Sequence, residues 1–510
     1  MAASCSAAIG CWETATTGVA ANLKDLWIGN IQITMGSVRS MLFMNRLLAV
    51  IALLIAVSAA HADIMVNDVS RLNPVKVGKI FKIATLDDIF DAVAYARERQ
   101  LTVAIAGKRH SQGGQTAVSD GVVLDMTEYN KVSWLSEDDK TITVQSGATW
   151  AQIQKFINSQ KLALTVMQSS NIFTVGGSMS VNAHGRDPRW GPIVDSIVSF
   201  HLVLASGKEV EVSRSKNYAL FQSVIGGYGL FGVISEVKLK LTDNLWLNKS
   251  AVRIKAEHYI EHLHTVLSDR LALHYGRCAI APNDYFFRDC IAVDYLETQR
   301  EPVDTELVDE KHVTRDRFFF NLSRDYQWAK SVRWSLQANL VDVPGEIESI
   351  SRNNAMRPPI KFLKYQSARN TDILQEYFVP IDRFNAYLEE MRQVLLQHQV
   401  NVLSMTLRYV KQSDDSYLNY ATQESIAIVL YMNVGLDQAA QQVATTWTRE
   451  LVDVTLKYDG KYYLTYQRYP TLMQFRKAYP NWKRFQQIKK RYDPERMFVN
   501  EFYKQYFPGP

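Results

Sequence analysis

The sequence is poor in cysteine, has no large excess of charge of one sign, and contains no internal repeat or low-complexity tract. With 4 cysteines in 510 residues, the fold cannot depend on a dense disulfide framework. Lys and Arg number 57 against 52 Asp and Glu, and they form no basic stripe, which argues against a nucleic-acid partner. A chain of this length exceeds one hydrophobic core, so we expect two packed units.

Residues 44–62 have the composition of a secretory signal peptide. A short basic start is followed by an unbroken apolar run over 47–57 and by small residues with an A-x-A ending. We therefore predict cleavage before Asp63 and a periplasmic or secreted protein. The apolar run is short for a bilayer span; the alternative is a retained anchor, the one case in which we expect a membrane partner. Residues 1–43 precede this signal, and we interpret them as a doubtful N-terminal extension.

The mature chain would keep two cysteines, Cys278 and Cys290. An even number of cysteines in an oxidising compartment is compatible with a disulfide. Two unpaired thiols in neighbouring strands are the alternative, and it stays open because the sequence does not give the distance between them.

From Asp63 onward, helical and extended patterns alternate. Thr85 and Asp88 form a capping-box pattern ahead of a helix, and the apolar spacing predicts a second helix over 150–158. Extended patterns predict strands at 101–105, 122–126, 141–144, 197–204, 209–212 and 233–241. The predicted organisation is a first domain over 63–244, a second domain over 245–460 and a basic, aromatic C-terminal segment over 461–510.

The stretch Gly227–Gly232 matches the G-x-G-x-x-G dinucleotide fingerprint. That fingerprint needs a strand before it and a helix after it, so that the helix N-terminus meets the pyrophosphate. Here residues 233–239 alternate like a strand, so we reject a nicotinamide-dinucleotide site. The glycines are better explained by a sharp backbone turn against a ligand or a neighbouring strand.

Two other glycine-rich loops, 106–114 and 174–178, follow extended segments. Such turns can present several backbone N–H groups to a diphosphate without needing a helix. Gly107, Gly176 and Gly177 would allow a ligand to approach the backbone closely. Each loop by itself is only a turn.

Taken together, the ordered motifs resemble the FAD-binding domain of the vanillyl-alcohol oxidase superfamily, also called the FAD-linked oxidase or PCMH type. The residues that carry the resemblance are 106–111, 122–126, 144–148, 174–177, 183–185 and 226–234. Residues 374–380, 407–409 and 492–500 are similar to the substrate domain and tail of alditol and aldonolactone oxidases and of decaprenylphosphoryl-ribose oxidase. The resemblance implies an α+β fold, with a two-subdomain PCMH-type FAD-binding domain and an α+β cap domain that contains a large antiparallel sheet.

The same resemblance implies a set of cofactor-binding residues. These are Ala106, Gly107, Lys108, Arg109, His110, Ser111, Gln112, Ser169, Thr174, Val175, Gly176, Gly177, Ser178, Val181, Asn182, Ala183, His184, Ile234 and Tyr463. The position of His110 is often the histidine that bonds the flavin 8α-methyl group, and a neutral imidazole has the nucleophilicity for that bond. We therefore expect covalent FAD, with non-covalent FAD as the alternative.

For catalysis, the resemblance implies His184, Arg408, Tyr466 and Gln375. His184 lies in a segment that faces the flavin in the family. An equally good interpretation is that His184 has a structural role and is held by hydrogen bonds to the backbone. Two positions depart from the aldonolactone oxidases, because Thr406 replaces a catalytic Glu and Tyr466 replaces a Lys near the flavin. Arg408 or Arg468 could supply the missing cation, and Tyr466 is a hypothetical base.

A cluster of His258, His262 and His264 is flanked by two glutamates. Residues four apart on a helix share a face and can bind a metal, but a solvated amphipathic helix explains the spacing better, and we predict no metal site.

The expected activity is hydride transfer to FAD from the CH–OH group of a small polyol, sugar or lactone, with O2 or another acceptor reoxidising the flavin. A flavin dehydrogenase or reductase for a lipid-linked sugar or a sterol-like substrate would use the same scaffold. An exported cofactor-binding protein without catalysis is the remaining alternative.

Overall fold

The computed structural model describes residues 63–298, 301–341 and 348–508, and Ile64–Pro510 forms one compact unit. The N-terminal extension and the predicted signal peptide lie outside the described residues. The helices are α1 Leu86–Glu98, α2 Trp150–Asn158, α3 Val175–Ser180, α4 Tyr218–Val224, α5 Tyr259–Val266, α6 Val313–Asp325, α7 Gln327–Val341, α8 Arg352–Ala355, α9 Phe384–Gln397, α10 Gln438–Lys457, α11 Leu472–Ala478, α12 Trp482–Tyr492 and α13 Glu501–Tyr506.

The strands are β1 Ile64–Val66, β2 Val75–Val77, β3 Lys79–Lys82, β4 Val103–Ala106, β5 Val122–Asp125, β6 Val132–Ser136, β7 Thr141–Gln145, β8 Leu162–Leu164, β9 Ile197–Val203, β10 Glu209–Ser213, β11 Val233–Asp243, β12 Trp246–Lys255, β13 Leu271–Cys278, β14 Asp289–Glu297, β15 Glu348–Ser351, β16 Asn370–Pro380, β17 Val402–Val410, β18 Ser425–Gly435 and β19 Lys461–Tyr462. Among the described residues, no helix is both long and apolar enough to cross a bilayer.

A small parallel sheet in the order β3-β5-β4 forms the first layer of the N-terminal region. Helix α1 begins at the predicted capping box, in which Thr85 accepts a hydrogen bond from the Asp88 N–H and Asp88 bonds back to the N-cap backbone. Its apolar face, with Ile89 and Val93, is buried in one core cluster with Val122 of β5. The glycine-rich loop that begins at residue 107 leaves the carboxyl end of β4, the edge of a parallel sheet where ligands commonly bind.

A second, antiparallel sheet is arranged around β11, which pairs with β9, β7 and β8. Helix α2 spans the predicted residues, and its face bearing Trp150, Ile153 and Ile157 is fully buried. The segment 174–178, predicted as a glycine-rich loop, is instead mostly helical, because Thr174 caps a helix that starts at Val175. The sequence rules missed this helix because its two glycines have low helix propensity.

The G-x-G-x-x-G stretch follows helix α4 and leads directly into strand β11. The strand prediction for this segment is confirmed, and the geometry of a nicotinamide-dinucleotide fingerprint is absent at this position. Gly232 has φ +153, and a Cβ atom there would lie 2.5 Å from the carbonyl oxygen of Val203 in β9. The glycine therefore lets two strands approach each other.

A large antiparallel sheet in the order β15-β12-β14-β13-β17-β18-β16-β19 follows residue 244. Its side chains alternate between two faces. One face packs against helices α9 and α10, and the other faces a cavity described below. The predicted α+β class is therefore confirmed.

Cys278 of β13 lies directly opposite Cys290 of β14, and the two are joined by a disulfide. The sheet register thus settles the pairing that the sequence left open.

The C-terminal segment packs back onto the N-terminal region. Phe498 forms a parallel bridge with Val103 of β4. The Asn500 side chain donates to the carbonyl oxygens of Gln115, at 3.0 Å, and of Tyr228, at 2.9 Å. These bonds hold the ends of both N-terminal sheets together beside the cavity.

Candidate active site

A cavity of about 900 Å³ runs from the loop after β4 to the inner face of the large sheet. One end is formed by the loops at 107–112 and 173–178, and the middle by residues 181–184 together with Tyr463 and Tyr466. The far end is formed by polar and aromatic side chains of β13, β17, β18 and α7. Such a cavity can hold an elongated cofactor and a substrate end to end.

The loop after β4 provides the anion-binding end. Within the described residues, the backbone N–H groups from Gly107 to Ser111 have no protein acceptor. The chain here also carries Arg109 in the left-handed region, with φ +54, a conformation that favours a nest of N–H groups. Consecutive free N–H groups at a strand end are what a diphosphate requires.

The second glycine-rich loop contributes in another way than predicted. The N–H groups of Val175, Gly176 and Ser178 donate to the carbonyl oxygens of Ala148, Ser146 and Thr174, and that of Gly177 donates to the Thr174 side chain. These donors are therefore used inside the protein, because the loop is the first turn of a helix. The prediction that residues 174–178 grip the diphosphate through their N–H groups is wrong, although this loop still lines the cavity.

Gly107 allows the two loops to touch. A Cβ atom at Gly107 would lie 2.3 Å from the Thr174 hydroxyl oxygen. We expect Gly107→Ala to lower the free energy of unfolding by about 1–3 kcal/mol through overpacking and to lower the bound FAD content. Thermal unfolding and the flavin absorbance of purified protein measure both effects.

The control for this prediction is Thr174→Gly, which costs only a few tenths of a kcal/mol at an N-cap and removes the clashing side chain. Gly107→Ala should then be nearly neutral in the Thr174→Gly background. An equal loss in both backgrounds contradicts the proposed contact.

Asp125, at the end of β5, holds the anion-binding loop in place. Its carboxylate accepts from Lys82 at 2.7 Å and from Arg109 at 3.1 Å. Burial opposes ionisation of Asp125, but hydrogen bonds from Lys82 and Thr127 and the charge of Arg109 lower its pKa to about 2. The carboxylate therefore stays ionised and anchors the Arg109 side chain.

His110 lies in the same loop and lines the cavity. Its ring packs edge-on against Phe173, with the centroids 4.9 Å apart. Burial and the positive charge of Lys108 lower the pKa of His110 to about 4. The imidazole is therefore neutral at physiological pH, which is the form that can act as a nucleophile.

Three side chains meet in the middle of the cavity. The His184 Nε2 atom lies 2.5 Å from Glu376 Oε1, and both side chains are almost fully buried. The Tyr466 hydroxyl donates to Glu376 Oε2 at 3.4 Å. Since an ionised carboxylate only accepts hydrogen bonds, Nε2 donates to Glu376, and in a neutral His184 ring the Nδ1 atom carries the lone pair. Among the described residues, the buried Nδ1 atom has no hydrogen-bond partner, so the protein itself does not use its hydrogen-bonding capacity.

Tyr466 is not suited to act as the base proposed from the sequence. Burial and the adjacent Glu376 carboxylate raise the pKa of the Tyr466 hydroxyl well above its usual value. The hydroxyl therefore remains protonated and donates a hydrogen bond.

Of the two cations considered, only Arg408 lines the cavity; among the described residues, the buried Nε atoms of both Arg408 and Arg468 have no hydrogen-bond partner. Arg468 instead donates to the Glu501 carbonyl oxygen at 2.8 Å and does not line the cavity.

The prediction for Gln375 is wrong. Its side chain donates to Thr448 of helix α10 at 2.7 Å and lies on the helix-covered face of the sheet. Strand alternation places its neighbours Leu374 and Glu376 in the cavity instead. The functional carboxylate at Glu376 was missed, although period-two alternation from a known inward position would have identified it.

Most of the predicted cofactor-binding residues line the cavity. They are Gly107, Lys108, Arg109, His110, Ser111, Gln112, Ser169, Thr174, Gly176, Gly177, Ser178, Val181, Ala183, His184, Ile234 and Tyr463. Ala106, Val175 and Asn182 do not, because their side chains are buried in the surrounding protein. Arg277 and Arg333 line the cavity and carry no sequence motif that would have singled them out. Ser146 also lines the cavity; it lies in the 144–148 motif but was not predicted as a site residue.

The histidines of the cluster at 258–264 do not share one site, because they contact different partners. His262 Nε2 donates to the Asp294 carboxylate at 2.9 Å, whereas the exposed His258 pairs with Glu261. In the described part of the chain, no group of three or more metal-ligating side chains converges.

These features fit FAD. The loop from Gly107 to Ser111 offers free N–H groups for a diphosphate, and the glycine contact at Thr174 leaves no room for a side chain between the loops. His184 and Arg408 present unpartnered buried nitrogens farther along the same cavity. Residues 107–112 would hold the diphosphate, and Val181, His184 and Tyr463 would line the flavin ring.

Comparisons with known proteins point the same way. A family model described as an FAD binding domain matches residues 79–213, and one described as D-arabinono-1,4-lactone oxidase matches residues 326–506. L-gulonolactone oxidase of Mus musculus is 21% identical over 440 residues, which cover 84% of this chain and 94% of that protein. L-gulono-1,4-lactone dehydrogenase of Mycobacterium tuberculosis is 21% identical over 423 residues, covering 81% and 92%.

Cytokinin dehydrogenase 2 of Arabidopsis thaliana is 30% identical, but only over 178 residues, or 34% of this chain and 35% of that protein. Thus the alignment to this relative spans about a third of its length, whereas the lactone enzymes align over nearly all of theirs. The protein is an FAD-dependent oxidoreductase. The chain belongs to the FAD-linked oxidase superfamily, with a PCMH-type FAD-binding domain, and within that superfamily it resembles the aldonolactone oxidases.

Proposed function

We propose that this protein is exported and oxidises a CH–OH group of a small polyol, sugar or lactone. The observation that carries the proposal is the pair formed by His184 and Glu376 in the wall of the cavity, in which the buried imidazole Nδ1 atom has no hydrogen-bond partner among the described residues. The matches over 326–506 and to lactone-oxidising relatives support the substrate class.

When bound, FAD supplies the acceptor for the hydride that leaves the CH–OH carbon, and O2 or another acceptor reoxidises it. His184 Nδ1 accepts the hydroxyl proton, which balances the loss of the hydride and leaves a carbonyl group. Glu376 is a positioning residue that keeps Nε2 protonated and stabilises the imidazolium that forms. Arg408 provides positive charge next to this cluster, where negative charge develops.

We further propose that the flavin is bound covalently through His110. The neutral imidazole supports this, because only the unprotonated ring has a lone pair for a bond to the flavin 8α carbon. Forming that bond would break one 8α C–H bond and the imidazole N–H bond and would leave the flavin reduced by two electrons, which O2 or another acceptor would then remove. Within the described residues, no protein group hydrogen-bonds to the His110 ring. The ring is therefore free for bond formation.

Anaerobic flavin bleaching tests the activity. Purified yellow protein is mixed with polyols, aldonolactones and sugars, and loss of the flavin band near its oxidised maximum is followed. We expect at least one of these neutral or acidic hydroxylated compounds to bleach the band. A flavin band unchanged by every such compound contradicts the proposal. Admitting air then separates an oxidase, which recovers its colour quickly, from a dehydrogenase.

A second candidate is a dehydrogenase for a lipid-linked sugar. Arg333 of helix α7 lines the cavity. The same helix also has a stripe of exposed apolar side chains, which come from residues four apart in the sequence. The stripe consists of Trp328, Val332, Leu336 and Leu340, which are 50–77% exposed. An exposed apolar stripe beside a cavity could support a lipid tail. Bleaching only by detergent-solubilised prenyl-phosphate sugars would favour this candidate.

The proposed export rests on the signal-like residues 44–62 and is supported by the disulfide between Cys278 and Cys290, a bond typical of oxidising compartments. We expect N-terminal sequencing of protein recovered outside the cytoplasm to begin at Asp63. Protein that keeps residues 44–62 and sediments with membranes supports a retained anchor instead.

A further inference from the structure

Four arginines line the far half of the cavity. They come from separate elements: Arg186 from the segment after His184, Arg277 from β13, Arg333 from α7 and Arg408 from β17. Convergence of four guanidinium groups from distant parts of the chain is costly unless their charges are balanced.

The geometry of the sheet brings these side chains together. Arg277 lies opposite Thr406 on β17, and Arg408 is two residues further along the same strand, so both side chains occupy the same face. The Arg186 and Arg277 guanidinium carbons each lie 5.4 Å from the centroid of the Tyr275 ring. Arg333 reaches the same strand by donating to the Leu403 carbonyl oxygen at 3.2 Å.

None of these four arginines forms an ion pair with a carboxylate in the described part of the chain. Arg324, which lies nearby, behaves differently because Asp372 neutralises it through a buried ion pair. The other carboxylates that line the cavity are also engaged, since Glu376 is held by His184 and Asp68 bonds to Asn73. Among the described residues, therefore, no carboxylate balances the positive charge of the four arginines.

For two of the four arginines, repulsion by neighbouring guanidinium groups acts on the pKa in the same direction as burial. Burial, together with Arg277 and Arg324, lowers the pKa of Arg333 to about 10. Burial lowers the pKa of Arg186, and the charges of Arg408 and Arg277 act in the same direction. A bound anion would reverse both effects, because an opposite charge favours the protonated guanidinium.

We propose that Arg186, Arg277, Arg333 and Arg408 bind an anionic oxygen group, a carboxylate or a phosphate, carried by the hydroxylated substrate. Planar guanidinium groups suit both anions through paired N–H donors. This inference rests on the proposed function, and it makes the substrate an acid or a phosphate ester instead of a neutral polyol.

The sheet also limits where the anion lies on the substrate. Arg277, Thr406, Val429 and Glu376 form one row across four strands. The backbones of Arg277 and Glu376 are thus three strand spacings apart, about 14 Å. Their long side chains close part of this distance, so the anionic group is separated from the oxidised CH–OH by several bonds.

Ligand binding to the flavin-loaded protein tests the inference without turnover. Two matched pairs of probes are compared: D-gluconate with D-glucitol, and D-glucose 6-phosphate with D-glucose. The flavin is first reduced with dithionite under anaerobic conditions, so that it cannot accept a hydride, and perturbation of the absorption spectrum of the reduced flavin reports the Kd. At low salt, we expect at least one of the two anions to bind at least 10-fold more tightly than its neutral partner. A larger ratio for D-gluconate identifies a carboxylate site, and a larger ratio for D-glucose 6-phosphate identifies a phosphate site.

Variants assign the effect to the arginines. Arg277→Gln and Arg333→Gln should each weaken binding of the preferred anion by about 10- to 100-fold and leave binding of the neutral partner unchanged. Arg277→Lys keeps the charge and should recover part of the loss. Arg288→Gln, at an exposed pair with Glu389 on the surface, should change neither. Flavin content confirms that each variant is folded.

Neutral probes that bind as tightly as their anionic partners overturn the inference, as do variants that weaken both members of a pair equally. Bleaching of the flavin by neutral polyols without any preference for anions overturns this inference but leaves the proposed function intact. Tight anion binding without bleaching by any hydroxylated probe supports the anion site and contradicts the proposed function.

Discussion

Alanine in place of His110 is expected to yield protein that loses all of its flavin on acid precipitation, whereas the wild-type pellet remains yellow. The reason is the proposed covalent bond to His110, whose neutral ring lines the cavity. Loss of the covalent bond should also reduce the flavin's strength as an electron acceptor. Flavin fluorescence of denatured protein on a gel, and the intact mass of the chain, measure attachment directly.

His201→Ala is the matched control, because His201 is exposed and pairs with Glu209 on the antiparallel sheet around β11. The pH dependence of attachment gives a second readout. Since burial and Lys108 lower the pKa of His110 to about 4, apoprotein incubated with FAD should bind flavin covalently at a rate that is flat from pH 5.5 to 8. The rate should fall only as the ring becomes protonated near pH 4. Wild-type protein that releases all of its flavin in acid contradicts covalent attachment.

Substitution of Glu376 by glutamine is expected to lower kcat by about 10²- to 10⁴-fold, with flavin content unchanged. The amide can donate to His184 Nε2, which would move the ring proton to Nδ1 and remove the lone pair that accepts the substrate proton. The effect should therefore appear in kcat more than in KM. Single-turnover bleaching of the flavin measures the chemical step.

Glu211→Gln provides the control for this substitution, because Glu211 is exposed and pairs with Lys216 on the edge of the antiparallel sheet. It should retain full turnover. Tyr466→Phe should lower turnover only modestly, since the Tyr466 hydroxyl donates to Glu376 at 3.4 Å and does not accept the proton. If Glu376→Gln keeps wild-type kcat while Tyr466→Phe abolishes it, the assignment of the base is wrong.

Local patterns predicted the helices and strands that have strong periodicity. The capping box at Thr85, the helix over 150–158 and the strand after Gly232 all follow from contacts within a few residues. The helix at Val175–Ser180 was not predicted, because its stability comes from the Thr174 cap and from burial of Val175 and Met179. Propensity alone disfavours a turn that contains two glycines.

The candidate site was predicted only where short motifs carry the chemistry. The loop at 107–112 and His184 were identified from their neighbours in sequence, and these residues line the cavity. Gln375 was chosen where Glu376 is the residue that faces the cavity. The two differ by one position, and which of them points inward depends on strand register, which is set by long-range pairing with β18.

By itself, the sequence determined the family, the α+β class, FAD as the cofactor and the two loops that approach it, because each depends on ordered local motifs. Only the tertiary structure decided that Cys278 meets Cys290, that Glu376 meets His184, and that four arginines meet in one cavity without a partner carboxylate from the described residues. These contacts join residues far apart in the chain. Their geometry follows from sheet register and packing, which no local pattern encodes.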